Sequence, residues 1–343
     1  MNVRLICSAF YALLAALALP HPARADGLED YYKGKELSFI IGFDVGGGYD
    51  LYARVLSRHF GRHMPGKPGV IVQNMPGAGG IRAANHIYNI APRDGSVIGM
   101  IDQSLPLQQL LEPESMKTDV TKFNWIGRIA SNSAILYAWH TAPVQKIGDA
   151  FKDELIISSS GGNSRMMSNF VKNLLGMKFM IVTGYKGTNE SRLAMQRGEI
   201  HALTQPWSAL RAENAQWLAE KKINLLMQVG VDAHPELPGL PTVVELARND
   251  EERKLLSFMA SGSRIGRSIL SPPAQPPERV AALRTAFMET MRDEAFIAET
   301  KKLALDLDPI SGQELQNAVI ESASLSPAMI AKARQLAGID ARN

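Results

Sequence analysis

Apolar residues along this chain fall into short continuous runs, each followed by a stretch at helical spacing. Residues 37–43, Leu-Ser-Phe-Ile-Ile-Gly-Phe, are mostly apolar without strict alternation, as in a strand buried on both faces. Three glycines follow, then Leu51, Val55, Leu56 and Phe60 at helical spacing. The unit reads as strand, tight turn, helix. Val70-Ile71-Val72 is a second strand, ending in the turn Asn74-Met75-Pro76-Gly77-Ala78-Gly79-Gly80, and a helix is predicted over residues 81–90. After the turn Ala91-Pro92-Arg93-Asp94-Gly95, residues 96–101 form a third strand. This alternation predicts an α/β protein built on parallel sheet.

The rhythm breaks over residues 123–139, where two strand-like stretches run close together without a helix between them. That is the expected crossing into a second lobe, where strand and helix alternate again. Strands are predicted at residues 155–158, 179–182, 200–204 and 223–229. The first ends in Ser159-Ser160-Gly161-Gly162-Asn163-Ser164 and the second in Gly184-Tyr185-Lys186-Gly187. A helix carrying Met167, Phe170, Val171 and Leu174 lies between them, another runs to about Arg197, and Pro206-Trp207-Ser208 opens a third. A proline-rich stretch at residues 233–242 is expected to skirt the lobe junction. Pro272, Pro273, Pro276 and Pro277 make a rigid stop before a helix at residues 278–291, and the C-terminus reads as helical. The expected division is lobe one at 26–129 plus 231–343 and lobe two at 130–230.

Composition adds bounds. A chain of 343 residues suits two α/β lobes better than one core, and 45% hydrophobic with 21% charged residues is ordinary for a globular protein. A net charge of +3 gives no electrostatic footprint for nucleic acid. The N-terminus stands apart. Arg4 precedes an apolar run at residues 5–19, and Ala23-Arg24-Ala25 follows with the small-residue spacing of a cleavage site. This predicts a secretory signal peptide, residues 1–25, removed after Ala25; the run is short for a bilayer core of about 30 Å. Cleavage would remove Arg4, Arg24 and Cys7, the one cysteine, leaving a charge of +1 and no thiol or disulfide chemistry.

The glycine turns carry the candidate chemistry. Parallel strands deliver their turns to the carboxyl edge of a sheet, where α/β proteins bind ligands. In Phe43-Asp44-Val45-Gly46-Gly47-Gly48-Tyr49-Asp50 the glycines permit close backbone approach, and the following helix aims its free N–H groups and positive dipole end at the turn. The dipole contributes on the order of 1 kcal/mol toward an anion. Taken alone, the turn reads equally as loop geometry and as anion site. No Lys-Ser or Lys-Thr follows at nucleotide-loop spacing, and the third glycine of a dinucleotide fingerprint is missing. Asp50 reads as a helix-start acid favoured by the dipole or as a ligand contact, and it could do both by ordering the loop N–H groups. Trp207 either lines the cleft or packs the core. His59 and His63 have metal-compatible spacing without an acidic partner between them, so no metal or cofactor is expected. No nucleophile, base and orienting group form a legible set, so an enzyme is not expected.

In series these motifs resemble the extracytoplasmic receptors of tripartite tricarboxylate transporters, the Bug-type solute receptors. The first family motif, roughly P-x-x-P-G-G-x-x-D with a later A-R, is matched by Gly42 to Asp50 and Ala53-Arg54; N-x-P-G-A-G-G is matched by Asn74 to Gly80. Ala91 to Gly95, Tyr185-Lys186-Gly187, Gly198-Glu199-Ile200-His201 and Leu237-Pro238-Gly239-Leu240-Pro241-Thr242-Val243-Val244-Glu245 match later motifs in order. The resemblance implies a type II periplasmic binding protein-like fold, with two hinged lobes and an interlobe cleft. It implies a small organic carboxylate held like a pincer by two loops, largely through backbone N–H groups. One jaw would be Phe43, Asp44, Val45, Gly46, Gly47 and Gly48, with Asp50, Ala78 and Gly79 beside it. The other would be Tyr185, Lys186 and Gly187, with Ser160, Asn163, Ser164 and Trp207 on the lobe-two wall. Its expected partners are the large and small membrane subunits of a secondary transporter, for a monomeric periplasmic receptor; a sensor kinase is the alternative partner. The chain departs from the family at Val45, where proline is usual, at Asp44 beside an anion site, at Ser168 in place of a histidine, and at His201 in place of an aspartate.

Overall fold

In a computed structural model, residues 27–159, 162–185 and 187–339 are described, without the side chains of Gly162 and Asn163. The expected signal segment, Ser160 and Lys186 lie outside the described residues. After a short helix α1 (Leu28–Tyr32), the chain runs β1 (Glu36–Ile41), α2 (Gly48–Phe60), β2 (Gly69–Asn74), α3 (Ile81–Asn89), β3 (Val97–Met100), α4 (Leu105–Leu111) and β4 (Asn124–Ala130). It then enters a second sheet through β5 (Ala134–Trp139), β6 (Leu155–Ser159), α5 (Gly162–Leu175), β7 (Phe179–Thr183), α6 (Thr188–Gln196), β8 (Ala202–Pro206), α7 (Trp207–Ala219) and β9 (Ile223–Val229). The return comprises α8 (Asp250–Ala260), α9 (Gly262–Ile265), β10 (Arg267–Ser271), α10 (Pro277–Arg292), α11 (Glu294–Lys302), β11 (Ile310–Ser311), α12 (Gly312–Ser322) and α13 (Pro327–Ala337).

The first sheet has the order β11-β4-β10-β3-β1-β2 and the second β7-β6-β8-β5-β9. Neither is all parallel, which corrects the expectation from sequence. β1, β2 and β3 are parallel, as are β6, β7 and β8, but β10 runs antiparallel to both β3 and β4. In the second sheet β5 is antiparallel to β8 and β9. The reason is topological: β5 and β10 are the strands by which the chain enters the second sheet and re-enters the first, so neither belongs to a strand-helix-strand crossover within one sheet.

Each sheet is covered on both faces. Leu37, Phe39 and Ile41 of β1 pack with α2 and α10, while Ile40 packs on the opposite face with α3. A strand buried on both faces needs no polar alternation, which is why residues 37–41 read as continuous apolar sequence. In α2 the buried stripe is Tyr49, Tyr52, Ala53, Val55, Leu56 and Phe60; Leu51, expected to face inward, turns outward. The strand expected at residues 200–204 is displaced to Ala202–Pro206. The second sheet buries one face against α5, α8 and α13, and the other against α6 and α7. The helices α8 and α13 therefore pack on the second sheet although they come late in the chain.

The crossing between sheets is tied by hydrogen bonds. The Asn132 N–H donates to the Ser263 carbonyl at 3.1 Å, and Arg128 donates to the Arg264 carbonyl at 2.8 Å and to the Asp308 carboxylate at 3.0 Å. Lobe two also reaches lobe one through an ion pair between Arg211 and Asp306. Burial in that contact raises the Asp306 pKa above its ordinary value, against the opposing pull of Arg211. His59 and His63 meet Glu299 and Asp293 through their Nε2 atoms at 2.6 and 2.7 Å, a packing role for α2 against α10 and α11.

The first core depends on α10 closing over β4. Phe287 is fully buried, and its ring occupies the space a side chain at Gly127 would need. We expect Phe287→Ala to lower the unfolding free energy by about 3–5 kcal/mol, read by urea denaturation. A loss below about 1 kcal/mol would mean that the helix is held mainly by its other contacts.

Candidate functional site

The first glycine turn is organised by Asp50. This residue is 2% exposed although it sits in the first turn of α2. Its Oδ2 accepts from the Gly46 N–H at 2.9 Å and from Arg54 Nε at 2.8 Å, while Oδ1 accepts from Asn74 Nδ2 at 2.9 Å. Asn74 also donates to the Phe43 carbonyl at 2.9 Å and accepts from Arg54 Nη2 at 3.0 Å. The first and second glycine turns are thus one hydrogen-bonded unit. The Arg54 hydrogen bond, with those from Gly46 and Asn74, holds the Asp50 carboxyl at about 2, against the opposing effect of burial. Asp50 is fully engaged in the protein and acts on the loop rather than on a ligand.

This unit leaves residues 44–48 exposed, with Val45 70% exposed at the tip. Gly46 has φ +88°, a left-handed conformation that an L side chain rarely adopts. Gly47 is different. Its φ of −80° suits any residue, and a Cβ there would find its nearest neighbour at 3.8 Å. The bareness of the backbone at Gly47 is therefore unrelated to strain and leaves its surroundings open. Phe43 stacks on Tyr49, with ring centroids 4.1 Å apart and planes 11° apart. Ala78 and Gly79 sit exposed in the second turn with φ of 48° and 60°.

Between the sheets lies a cavity of about 330 Å³. Its position follows from strand direction. The carboxyl ends of β1, β2 and β3 share one edge of the first sheet. Because β10 is antiparallel to β3, its first residue, Arg267, arrives at that same edge. Gly266 makes this approach possible: its φ is +52°, and a Cβ there would lie 2.1 Å from the Ala130 carbonyl oxygen. The Arg267 guanidinium lies over the Tyr49 ring, 3.9 Å from its centroid, and its Nη2 is 3.5 Å from the position a Gly48 Cβ would take. Its Nη1 is buried without a hydrogen-bond partner, and Arg267 has no ion pair among the described residues. A buried, unpaired guanidinium nitrogen is costly unless something supplies the missing acceptor.

Tyr49 is the platform beneath it. The Gln103 N–H donates to the Tyr49 oxygen at 3.0 Å, and that oxygen approaches Asp102 Oδ2 at 3.5 Å. Burial first, then the Asp102 carboxylate, raises the Tyr49 pKa above its ordinary value, so the phenol stays neutral. Asp102 is itself bonded by the Ser104 N–H at 2.8 Å and by the Ser104 hydroxyl. Gln103 and Asn132 join across the hinge, Asn132 Nδ2 donating to Gln103 Oε1 at 2.8 Å.

The structure brings together only part of the expected set. Ser164 and Ser168 both line the cavity. Tyr185 is half-buried against the outer core of lobe two, where desolvation raises its pKa. Gly187 lines a separate groove of about 650 Å³ with Asn189, Gln205 and Glu213. Trp207 is 7% exposed within the core between the second sheet and α7, and its Nε1 donates to Glu236 at 2.6 Å. Of the two readings of Trp207 left open by the sequence, packing the core is the one this position fits. His201 has a backbone role: its Nδ1 accepts from the Ile156 N–H at 3.1 Å. Ser160 and Lys186 lie outside the described residues, and of Asn163 only the backbone, in α5, is described. The sequence reading missed Arg267, Asp102, Gln103, Asn132 and Thr204, which all line the cavity. Residues 101–104 follow β3 at the carboxyl edge, a position that could have flagged them.

Two α/β lobes, linked by a hinge and enclosing a small-molecule cavity at the facing strand ends, define a periplasmic binding protein-like receptor of type II. The chain belongs to the family described as "Tripartite tricarboxylate transporter family receptor", whose profile matches residues 53–335. It is similar to a Cupriavidus necator protein named "UPF0065 protein in gbd 5'region", with 24% identity over 94% of this chain and 93% of that one. It is also similar to Protein BugT of Bordetella pertussis, with 23% identity over 87% of each. Among solved structures, a TctC solute binding protein from Polaromonas, without ligand, superimposes with a TM-score of 0.66 at 19% identity, covering 89% of this chain and 98% of that one. The R. palustris protein Rpa4515, solved with adipate, gives a TM-score of 0.61 at 19% identity, over 89% and 98%. These likenesses are in fold. Members of the family are periplasmic solute receptors of the Bug type. Among the described residues no helix is long and apolar enough to cross a membrane.

The Asp50 network makes a pH-dependent prediction. Asp50→Asn keeps the volume and removes the charge, and should cost about 1–3 kcal/mol at pH 7. The folded carboxylate titrates near 2, below its ordinary 3.8. Its stabilisation is therefore complete above about pH 4 and is lost as pH falls toward 2, so the gap between parent and variant should close across that window. Urea denaturation at stepped pH reads this; a constant gap would assign the loss to packing instead of charge.

Proposed function

We propose that this protein is a periplasmic receptor that captures a small organic carboxylate between its lobes and delivers it to the large and small membrane subunits of a tripartite tricarboxylate-type transporter. The observation that carries the reading is the buried, unpaired Nη1 of Arg267 in the interlobe cavity, next to a glycine turn at a helix N-terminus. An anion there gains a charge-assisted hydrogen bond from the guanidinium and, once the lobes close, N–H donors from residues 44–48. The Asp50 network holds that turn in one shape, so its ordering cost is met before the ligand arrives. Adipate bound to a relative of the same fold supports a carboxylate as the ligand class.

In this reading the mature receptor begins at Asp26, after removal of residues 1–25, and works as a monomer. Lobe one comprises 26–129 and 231–343, and lobe two 130–230, with α8 and α13 of the 231–343 segment covering the second sheet. The proposed jaws are residues 43–48, ordered by Asp50 and flanked by Ala78 and Gly79, and residues 185–187, with Ser160, Asn163 and Ser164 on lobe two, while Trp207 packs the core of that lobe. Closure is a hinge motion about residues 131–133 and 262–266, and the Arg211–Asp306 pair lies across the two lobes where it would favour the closed form.

Titration calorimetry with a panel of mono- and dicarboxylates should give at least one stoichiometric binder that also raises the melting temperature. A panel with neither heat nor thermal shift would sink the proposal. Gly47→Val should leave the fold intact, because the backbone there is unstrained and the space open, while weakening the best binder by at least about tenfold. Unchanged affinity would reduce the turn to loop geometry.

A further inference from the structure

The walls of the cavity are sorted by lobe. Lobe one contributes Tyr49, Asp102, Gln103, Ser104 and Arg267. Lobe two and the helices covering it contribute a largely apolar surface that includes Leu136, Ile157, Val171, Phe179, Met227 and Met259. Those six residues are at most 3% exposed and belong to the packed core of the second sheet. The interlobe cavity therefore borders the packed core of lobe two on one side. Protein interiors are close-packed, and a space of about 330 Å³ ringed by core residues is a departure from that rule. Its apolar side can take the hydrocarbon part of a ligand, while the polar groups of the other side stay hydrated or bonded.

Charge points the same way. Among the described residues lining the cavity, Arg267 is the one cationic side chain and Asp102 the one carboxylate. A ligand with a carboxylate at each end would have one of them on Arg267 and the other against a wall whose polar groups are the neutral hydroxyls of Ser164, Ser168 and Thr204, with no second cation among the described lining residues. Ionised groups are strongly disfavoured in such surroundings. Methionines on the wall, Met166 and Met167 of α5 together with Met227 and Met259, can adjust their flexible side chains to guests of different length.

We infer that the ligand is an amphipathic monocarboxylate, its carboxylate on Arg267 and its apolar body inserted toward the core of lobe two. This rests on the proposed carboxylate-receptor function and narrows it to a chemical class.

The test is a calorimetric series on the exported protein with butanoate, hexanoate and octanoate, and with adipate as the six-carbon diacid matched to hexanoate. Affinity should rise by about fourfold per added methylene until the cavity is full, as expected for burying a methylene. Hexanoate should bind at least about tenfold more tightly than adipate. Arg267→Gln should weaken every member by about tenfold or more while leaving the dependence on chain length in place. Val229→Phe, which fills the cavity from the edge strand β9, should weaken octanoate and leave butanoate unchanged. The parent series alone decides the matter if either variant fails to fold. Affinity that is flat or falls with chain length, or adipate preferred over hexanoate, overturns the inference and leaves the receptor function standing. No binding by any carboxylate overturns the receptor function itself.

Discussion

The arrangement of the site depends on one buried carboxylate. Asp50 accepts three hydrogen bonds, from the Gly46 N–H, Arg54 and Asn74, and Asn74 in turn holds the Phe43 carbonyl. A carboxylate removed from water must be paired and bonded or it destabilises the fold. Satisfying Asp50 therefore fixes three elements at once: the first turn, the start of α2 and the end of β2. Tyr49, next in the chain to Asp50, is set by the same constraint, and Tyr49 is the ring on which Arg267 rests. An anionic side chain two residues into the helix thus builds the positive site by ordering it, and its own charge is neutralised internally.

From that point the two lobes divide the work. Lobe one supplies the cation and its aromatic platform, carried on the edge of a sheet. Lobe two supplies an apolar wall continuous with its core. The hinge residues are near the same place. Asn132 bonds to both Gln103 and the Ser263 backbone, which couples lobe position to the floor of the site.

Much of the local structure was legible in the sequence because local rules produce it. Residues 37–41 read as a doubly buried strand because both faces of the first sheet are covered. The glycine turns read as turns because residues such as Gly46 occupy a backbone conformation closed to other side chains. The motif series placed the chain in its family across most of its length. The ligand wall was less legible. Trp207 sits at a strand end, where a cleft residue is expected, yet lies in the core with its indole on Glu236. His201 occupies a family motif position but its ring serves the Ile156 backbone. Motif membership marks where a residue falls in the chain, and packing decides which way its side chain faces.

The sequence by itself determined the two glycine turns, the alternation of strand and helix, and the family. Each follows from backbone sterics or apolar spacing within a few residues. Only the tertiary structure decided the direction of β10. A five-residue strand carries no record of whether it runs parallel or antiparallel to its neighbours, because the same residues can form either ladder. Running antiparallel to β3, it delivers its first residue to the edge where β1, β2 and β3 deliver their last ones. That reversal brings Arg267, more than two hundred residues from Tyr49 in sequence, to within 3.9 Å of its ring and makes it the cation of the site.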